Sequence, residues 1–383
     1  MLSLHFHNRI PRFLTIVLPC VVALCAVPYT AAADGSGPDT LFRVIAYVRG
    51  NVADIEQYPL QHLTHLNYCF LHLSGNKLVL GGERDSIGIS RLVALKKTYP
   101  GLKVLLSVGG WGGCEPCSGV FATPDGRQEF AASTLELLQH FGADGIDLDW
   151  EYPAIEGYPG HPYSSADKHN FTLLVEQLRK VLGNDHEVTF AGGGFMEFLQ
   201  ESVEWDRVMP LVDYVNVMSY DLVNGYSTST GHHTSLYSTP GQLSSTDYAV
   251  RFLDSIGVPA EKIVIGAAFY ARVWENVKPV NNGLFQQGKF HSYIRFNQFD
   301  DRLGTGSSFT TYWDSTARAP YAYDSTNCLF ATFDDRRSVA LKTAYAMSKG
   351  LGGIMFWELM GDVGENGLLT TIANAIHGST RPK

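Results

Sequence analysis

The stretch Asp144-Gly145-Ile146-Asp147-Leu148-Asp149-Trp150-Glu151 decides how this chain of 383 residues is interpreted. Side chains of a β-strand alternate between two faces, so Asp147, Asp149 and Glu151 share one face and the apolar residues between them share the other. The apolar face predicts a central strand, which directs the acids into an interior. Burial and mutual repulsion should then raise the pKa of at least one acid. The stretch therefore predicts a reactive carboxyl group.

Eight such short β-rich segments alternate with amphipathic segments along the chain. The predicted strands cover residues 42–48, 65–71, 103–108, 145–150, 188–191, 214–220, 263–268 and 353–357. Helical patterns between them include residues 87–99, 126–141, 166–182, 245–256 and 337–349. Eight strands, each followed by a helix or a helix-like crossover, predict an α/β fold of the (β/α)₈ TIM barrel type, which typically takes about 250 residues.

The surplus length lies between the seventh and eighth predicted strands. Residues 274–333 are rich in aromatic residues, Gly, Asn and Ser and contain short alternating runs. A structureless loop of that length would be unusual in a compact enzyme. The segment therefore predicts a small α+β insertion domain, with the barrel formed by residues 42–273 and 334–377.

The N-terminus has the pattern of a signal peptide, with basic residues before an apolar run and Ala31-Ala32-Ala33 as the cleavage site. We expect residues 1–33 to be removed, which leaves a catalytic domain at residues 34–383 in a secreted protein, extracellular or periplasmic. The net charge is −9 and the leader contributes two arginines without an acid, so nucleic acid and anionic membranes are disfavoured as partners. A monomer is expected.

The cysteines fit an oxidising compartment. Cys114 and Cys117 form a CxxC pair without a second CxxC at zinc-finger spacing, which favours a loop disulfide over half of a metal site. The pairing of Cys69 and Cys328 is left open by the sequence. No metal site is predicted, since no His stands at ligand spacing near a strand end.

Glu151 is the last acid of its row and would lie at the C-terminal mouth of the barrel, where catalytic groups of this architecture sit. A carboxyl group with a raised pKa at that position can act as a general acid at neutral pH. A solvated acidic strand is the plain alternative. It is disfavoured because the opposite face of the strand is apolar.

The motif DGxDxDxE at residues 144–151 resembles glycoside hydrolase family 18, the chitinase family. Further segments match that family in the expected order over nearly the whole chain after the leader. Ser107-Val108-Gly109-Gly110 resembles its third-strand motif, and Met218-Ser219-Tyr220-Asp221 resembles its sixth. Phe269 to Arg272 and Gly353 to Glu358 are similar to its seventh and eighth strand segments.

The resemblance implies a retaining, substrate-assisted hydrolysis of β-1,4-linked N-acetylglucosamine, in which the acetamido oxygen of the sugar attacks its own anomeric carbon. It implies no cofactor, since the acetamido group supplies the nucleophile. Glu151 would be the acid and base, Asp149 would stabilise the oxazolinium intermediate, and Asp147 would share a proton with Asp149. Tyr220 would hydrogen-bond the acetamido carbonyl. The residues expected to contact or line the sugar sites are Trp357, Asp221, Arg272, Met218, Tyr47 and Trp111.

The implied substrate is chitin or a chito-oligosaccharide. An endo-β-N-acetylglucosaminidase of N-glycans would use the same chemistry, and some relatives of this fold bind glycans without cleaving them. The presence of Glu151, Asp149 and Tyr220 disfavours a binding role alone. The long segment at 274–333 favours a chitinase cleft over a single barrel with a short seventh loop.

Overall fold

The computed structural model of this chain describes residues 42–50 and 52–379. The predicted signal peptide at residues 1–33 lies outside the described residues. Within them, no helix combines the length and the apolar character needed to cross a bilayer.

Fourteen strands and ten α-helices organise the described part of the chain. The strands are β1 Arg43–Arg49, β2 His65–Ser74, β3 Lys77–Val79, β4 Lys103–Gly109, β5 Gly145–Asp149, β6 Glu187–Gly193, β7 Tyr214–Met218, β8 Ile263–Ala268, β9 Tyr270–Glu275, β10 Lys289–Arg295, β11 Thr310–Asp314, β12 Ala319–Asp324, β13 Leu329–Thr332 and β14 Gly353–Trp357. The helices are α1 Glu83–Ala94, α2 Cys117–Phe121, α3 Pro124–Phe141, α4 Asp167–Leu182, α5 Met196–Glu201, α6 Trp205–Val208, α7 Thr246–Ser255, α8 Phe299–Arg302, α9 Arg336–Ser348 and α10 Leu368–Ser379.

Eight parallel strands close into a barrel. Their order is β1-β14-β8-β7-β6-β5-β4-β2, and the pairing of β1 with β2 completes the ring. All eight strands predicted from the sequence are present, with ends shifted by a few residues. The predicted (β/α)₈ barrel is confirmed.

A second, antiparallel sheet comes from the chain between β8 and β14. Its strand order is β10-β9-β13-β12-β11, and it spans Tyr270 to Thr332. The extra segment was predicted from about residue 274, and strand β9 of this sheet begins at Tyr270, almost directly after barrel strand β8. Alternating runs in this segment therefore belong to a sheet of their own.

Outward-facing barrel residues pack against the surrounding helices. Trp150 lies between Phe121 and Phe171, with ring centroids 5.3 and 6.3 Å away. Each large apolar side chain buried in this layer contributes about 1.5–3 kcal/mol. The helix α3 that covers the layer begins after the N-cap Thr123, whose side chain accepts a hydrogen bond from the backbone of Gly126.

The loop after β4 is closed by a disulfide between Cys114 and Cys117, as the spacing predicted. Cys69 is a buried free thiol and Cys328 an exposed one. The disulfide fixes the loop that leads from the end of β4 into α2, beside the strand that carries the acids.

Candidate active site

Asp147 lies in the closed interior of the barrel and is fully buried. Its oxygens accept hydrogen bonds from Tyr47 Oη and Ser107 Oγ, both at 2.8 Å, from Thr189 Oγ1 at 2.7 Å and from Asn216 Nδ2 at 3.2 Å. Ser107 and Thr189 are its register partners on the two flanking strands. Burial raises the pKa of Asp147, and the hydrogen bonds oppose that rise.

The proton that Asp147 and Asp149 are expected to share stays a prediction. Among the described residues, the hydrogen bonds to Asp147 come from four neutral side chains. Asp149 Oδ1 is instead buried without a hydrogen-bond partner. Asp147 is the acid at the bottom of the row and is held by hydrogen bonds, whereas Asp149 has a carboxyl oxygen that is free to accept one.

Replacing Thr189 by Val should destabilise the fold by about 1–3 kcal/mol, since the near-isosteric change deprives a buried carboxyl oxygen of a donor. The free energy of unfolding from denaturant titration measures the effect. Thr343→Val is the matched control, because Thr343 is equally buried but its hydroxyl bonds Val339 O of its own helix. Equal losses in the two variants would contradict a special role of the Asp147 contacts.

Asp149 ends β5 one step above Asp147 on the same face. Burial raises its pKa well above the ordinary value, and the charges of Glu151 and Asp147 add to that rise. The neighbouring strand makes room for it with Gly109, where an added Cβ would stand 2.2 Å from the Asp149 carbonyl oxygen and where φ is +103°. Only glycine fits such a close approach in that conformation.

Glu151 follows β5 at the barrel mouth, as predicted. Burial raises its pKa to about 8, and the charge of Asp221 contributes to the rise, whereas Tyr152 and Arg272 act against it. A carboxyl group with that pKa holds its proton at neutral pH and can donate it. The role of Glu151 as the catalytic acid stays a prediction.

Asp221 and Arg272 form an ion pair beside Glu151. Both Nε and one terminal nitrogen of Arg272 bond the Asp221 carboxylate. Burial alone would raise the pKa of Asp221, but Arg272 and His233 hold it below its usual range. Asp221 therefore carries a permanent negative charge that favours the protonated form of Glu151.

Tyr220 and Met218 line the interior wall at the end of β7. The Tyr220 hydroxyl has only a weak contact, 3.7 Å to Met355 Sδ. Burial raises its pKa, so the phenol stays neutral and keeps a proton to donate. Its ring packs on Gly266, where an added Cβ would stand 2.8 Å from Tyr220 Cε1. The hydroxyl is thus available to an acceptor in the barrel mouth.

Trp357 ends β14, on the opposite side of the barrel from β5. Its ring stacks on Phe70, with centroids 5.6 Å apart and an interplanar angle of 14°, and meets Tyr47 at 5.9 Å. These contacts hold the indole as a partly exposed apolar surface. Aromatic faces of this kind pack well against the apolar faces of sugar rings.

Trp111 lies at the rim, where it is 45% exposed. Its ring contacts Tyr158 at 5.7 Å, Tyr226 at 6.0 Å and Tyr152 at 6.5 Å. The structure thus brings Glu151, Asp149, Tyr220, Asp221, Arg272 and Trp357 to one mouth. It leaves Trp111 outside this group, in an aromatic cluster beside Tyr152.

Sequence reasoning missed several residues of this mouth. Asn216 could have been found by alternation, because it shares a strand face with Met218 and Tyr220. Thr189 could have been found in the same way on β6, where it shares a face with Ala191. His233 and Tyr270 gave no local signal, since their positions depend on the loop after β7 and on the second sheet. Among the described residues, no three His, Cys, Asp or Glu side chains are grouped to hold a metal ion.

Comparisons with known proteins agree with this geometry. The profile of Glycosyl hydrolases family 18 matches residues 43–362. Chitinase A1 of Niallia circulans is 36% identical over 303 residues, which cover 72% of this chain and 42% of that protein. The chain thus spans less than half the length of that relative.

Solved structures of related enzymes superpose on most of this chain. A chitinase from Bacillus thuringiensis superposes with a TM-score of 0.82 at 27% identity, covering 89% of this chain and 70% of that one. A family 18 N-acetylglucosaminidase from Paenibacillus barengoltzii superposes with a TM-score of 0.80 at 34% identity, covering 88% of this chain and 100% of that one. The acid row, the closed barrel and the matched profile together show that the chain belongs to the glycosyl hydrolases of family 18.

Proposed function

We propose that this chain is a secreted chitinase that hydrolyses β-1,4-linked N-acetylglucosamine polymers or oligomers with retention, using Glu151 as general acid and base. The observation that carries the proposal is the acid row itself. Glu151, with a pKa raised to about 8, stands above Asp149, whose Oδ1 is buried and has no partner. One group is ready to donate a proton and the other to accept a hydrogen bond.

Substrate assistance explains both features. Glu151 protonates the leaving glycosidic oxygen while the acetamido oxygen of the sugar attacks the anomeric carbon and forms an oxazolinium ion. The acetamido N–H would donate to Asp149 Oδ1, and the carboxylate would stabilise the positive charge that develops nearby. Glu151, now deprotonated, then activates a water molecule. This water opens the oxazolinium ring and restores the β configuration at the anomeric carbon.

The remaining residues would orient the sugar. The Tyr220 hydroxyl would donate to the acetamido carbonyl, the pair of Asp221 and Arg272 would hydrogen-bond the sugar, and Trp357 would support its apolar face. Trp111 would stack on a sugar beyond the cleaved bond. Uncharged sugar rings suit a mouth in which the charges of Asp221 and Arg272 already balance each other.

The proposal extends to the parts of the chain around the site. The second sheet would be an insertion domain that forms one wall of the cleft, which is supported by Arg272, a β9 residue that binds Asp221. Residues 1–33 would direct export, and the secreted enzyme would act as a monomer on chitin or chito-oligosaccharides without a cofactor.

Chitohexaose tests the function directly. The protein should cleave it, and NMR of the first products should show the β anomer. An initial α anomer would exclude the proposed mechanism. Binding without cleavage would favour a lectin, and release of glycan from a glycoprotein without action on chitohexaose would favour an endo-β-N-acetylglucosaminidase.

A further inference from the structure

Two consecutive histidines, His232 and His233, are fully buried in the segment between β7 and α7. They contact different parts of the molecule. His232 Nε2 lies 3.0 Å from Asp314 Oδ2 in the second sheet, whereas His233 Nδ1 lies 3.4 Å from Asp221 Oδ1 in the candidate active site. The proposed mechanism uses neither ring.

His233 is the less satisfied of the two. Neither of its ring nitrogens makes a hydrogen bond, and its ring packs 5.2 Å from the ring of Tyr270. Burying an imidazole without partners costs free energy, so such a group calls for an explanation. The contact at 3.4 Å is long and lacks the alignment of a hydrogen bond, so the ring and the carboxylate must turn toward each other as well as approach to form one.

The surroundings of His233 favour the neutral ring. Burial lowers its pKa, although the charge of Asp221 opposes this. The charged groups around it are balanced, because Arg272 pairs with Asp221 on one side and Lys342 binds Asp334 at 2.7 Å on the other. A neutral imidazole facing a carboxylate carries its proton on the nearer nitrogen, here Nδ1.

We propose that His233 is a positioning residue that holds Asp221 in place for the sugar, through a hydrogen bond from Nδ1 that tightens when substrate binds. Asp221 lies beyond the end of β7 with a φ of 55°, and Arg272 binds it from the second sheet, so a hydrogen bond from His233 would hold the carboxylate from a different part of the chain. Catalytic hydrogen bonds are often long without substrate and shorten in the complex. The inference rests on the proposed function, in which Asp221 contacts the sugar.

The pair of variants His233→Asn and His233→Leu tests this inference. Asn and Leu have nearly the same size and branch at the same atom, and the Asn amide nitrogen takes the place of Nδ1. Both variants therefore leave the same cavity, but only Asn can donate to Asp221. Loss of a hydrogen bond to a charged group should raise KM for chitohexaose about tenfold in the Leu variant relative to the Asn variant.

A second readout is the pH dependence of kcat. Asp221 raises the pKa of Glu151, so a displaced Asp221 should move the basic limb to lower pH in the Leu variant and not in the Asn variant.

Equal KM values for the two variants would overturn the inference. His232→Asn and His232→Leu form the control pair and should have equal KM values. An inactive wild type would reject the proposed function itself, which separates the two failures.

Discussion

Replacing Glu151 by Gln should lower kcat on chitohexaose by about 10²–10⁴-fold, the range for loss of a general acid. The amide keeps the shape of the side chain but has no proton to give to the leaving oxygen, so chitohexaose should still bind. Steady-state kinetics and equilibrium binding measure the two quantities. Glu156→Gln is the matched control, since Glu156 is exposed a few residues further along the same loop. A Glu151→Gln enzyme with a tenth or more of the wild-type kcat would contradict the assignment.

The pKa of Glu151 makes the same experiment informative over pH. Because the acid must be protonated, wild-type kcat should fall as the pH rises through about 8. In the folded state the pKa of Glu151 lies above its ordinary value of 4.5. Between these two pH values the folded state binds a proton that the unfolded state does not, so the free energy of unfolding falls as the pH rises from 4.5 to about 8. In the Glu151→Gln variant, the fall of kcat at high pH and the pH-dependent loss of stability should both be smaller than in the wild type.

Replacing Asp149 by Asn should lower kcat by about 10²-fold, comparable to the loss of one preorganised group that stabilises charge in a transition state. The change replaces one carboxyl oxygen by an N–H donor, and residue 149 can then no longer carry a negative charge beside the oxazolinium ion of the proposed mechanism. An Asn side chain could therefore turn a donor toward the acetamido N–H, where an acceptor is needed. Asp125→Asn, an exposed acid in the first turn of α3, is the control.

An activated substrate separates the two roles. A chito-oligosaccharide with a 4-nitrophenolate leaving group needs little protonation, so the Glu151→Gln enzyme should recover much of its rate of glycosidic cleavage on that substrate. Asp149→Asn should not recover, because the oxazolinium ion still has to form. Equal recovery in both variants would argue against distinct roles for the two acids.

Much of the fold could be predicted because it is encoded locally. The alternation in residues 144–151 put three acids on one face, and the repeated change between strand and helix patterns predicted the barrel. The start of the extra segment was predicted at about residue 274, whereas β9 begins at Tyr270, with one residue, Phe269, between it and β8. No turn signal marks where the chain leaves the barrel and enters the second sheet.

The sequence named the residues of the candidate site but not their contacts. In the structure, the hydrogen bonds to Asp147 come from donors on β1, β4, β6 and β7. Those four strands are distant in sequence and meet only when the barrel closes. The sequence therefore could not rank the acids by their hydrogen bonds, although it did identify Glu151 as the acid at the mouth.

The sequence by itself determined the strand that carries the acids, the apolar layer behind it and the order of the barrel, since each follows from periodicity between near neighbours. Only the tertiary structure decided which acid is anchored, which has a free acceptor, and that His233 faces Asp221. Burial and long-range contacts set the pKa of each group and the partner of each hydrogen bond, and both come from residues that are remote along the chain.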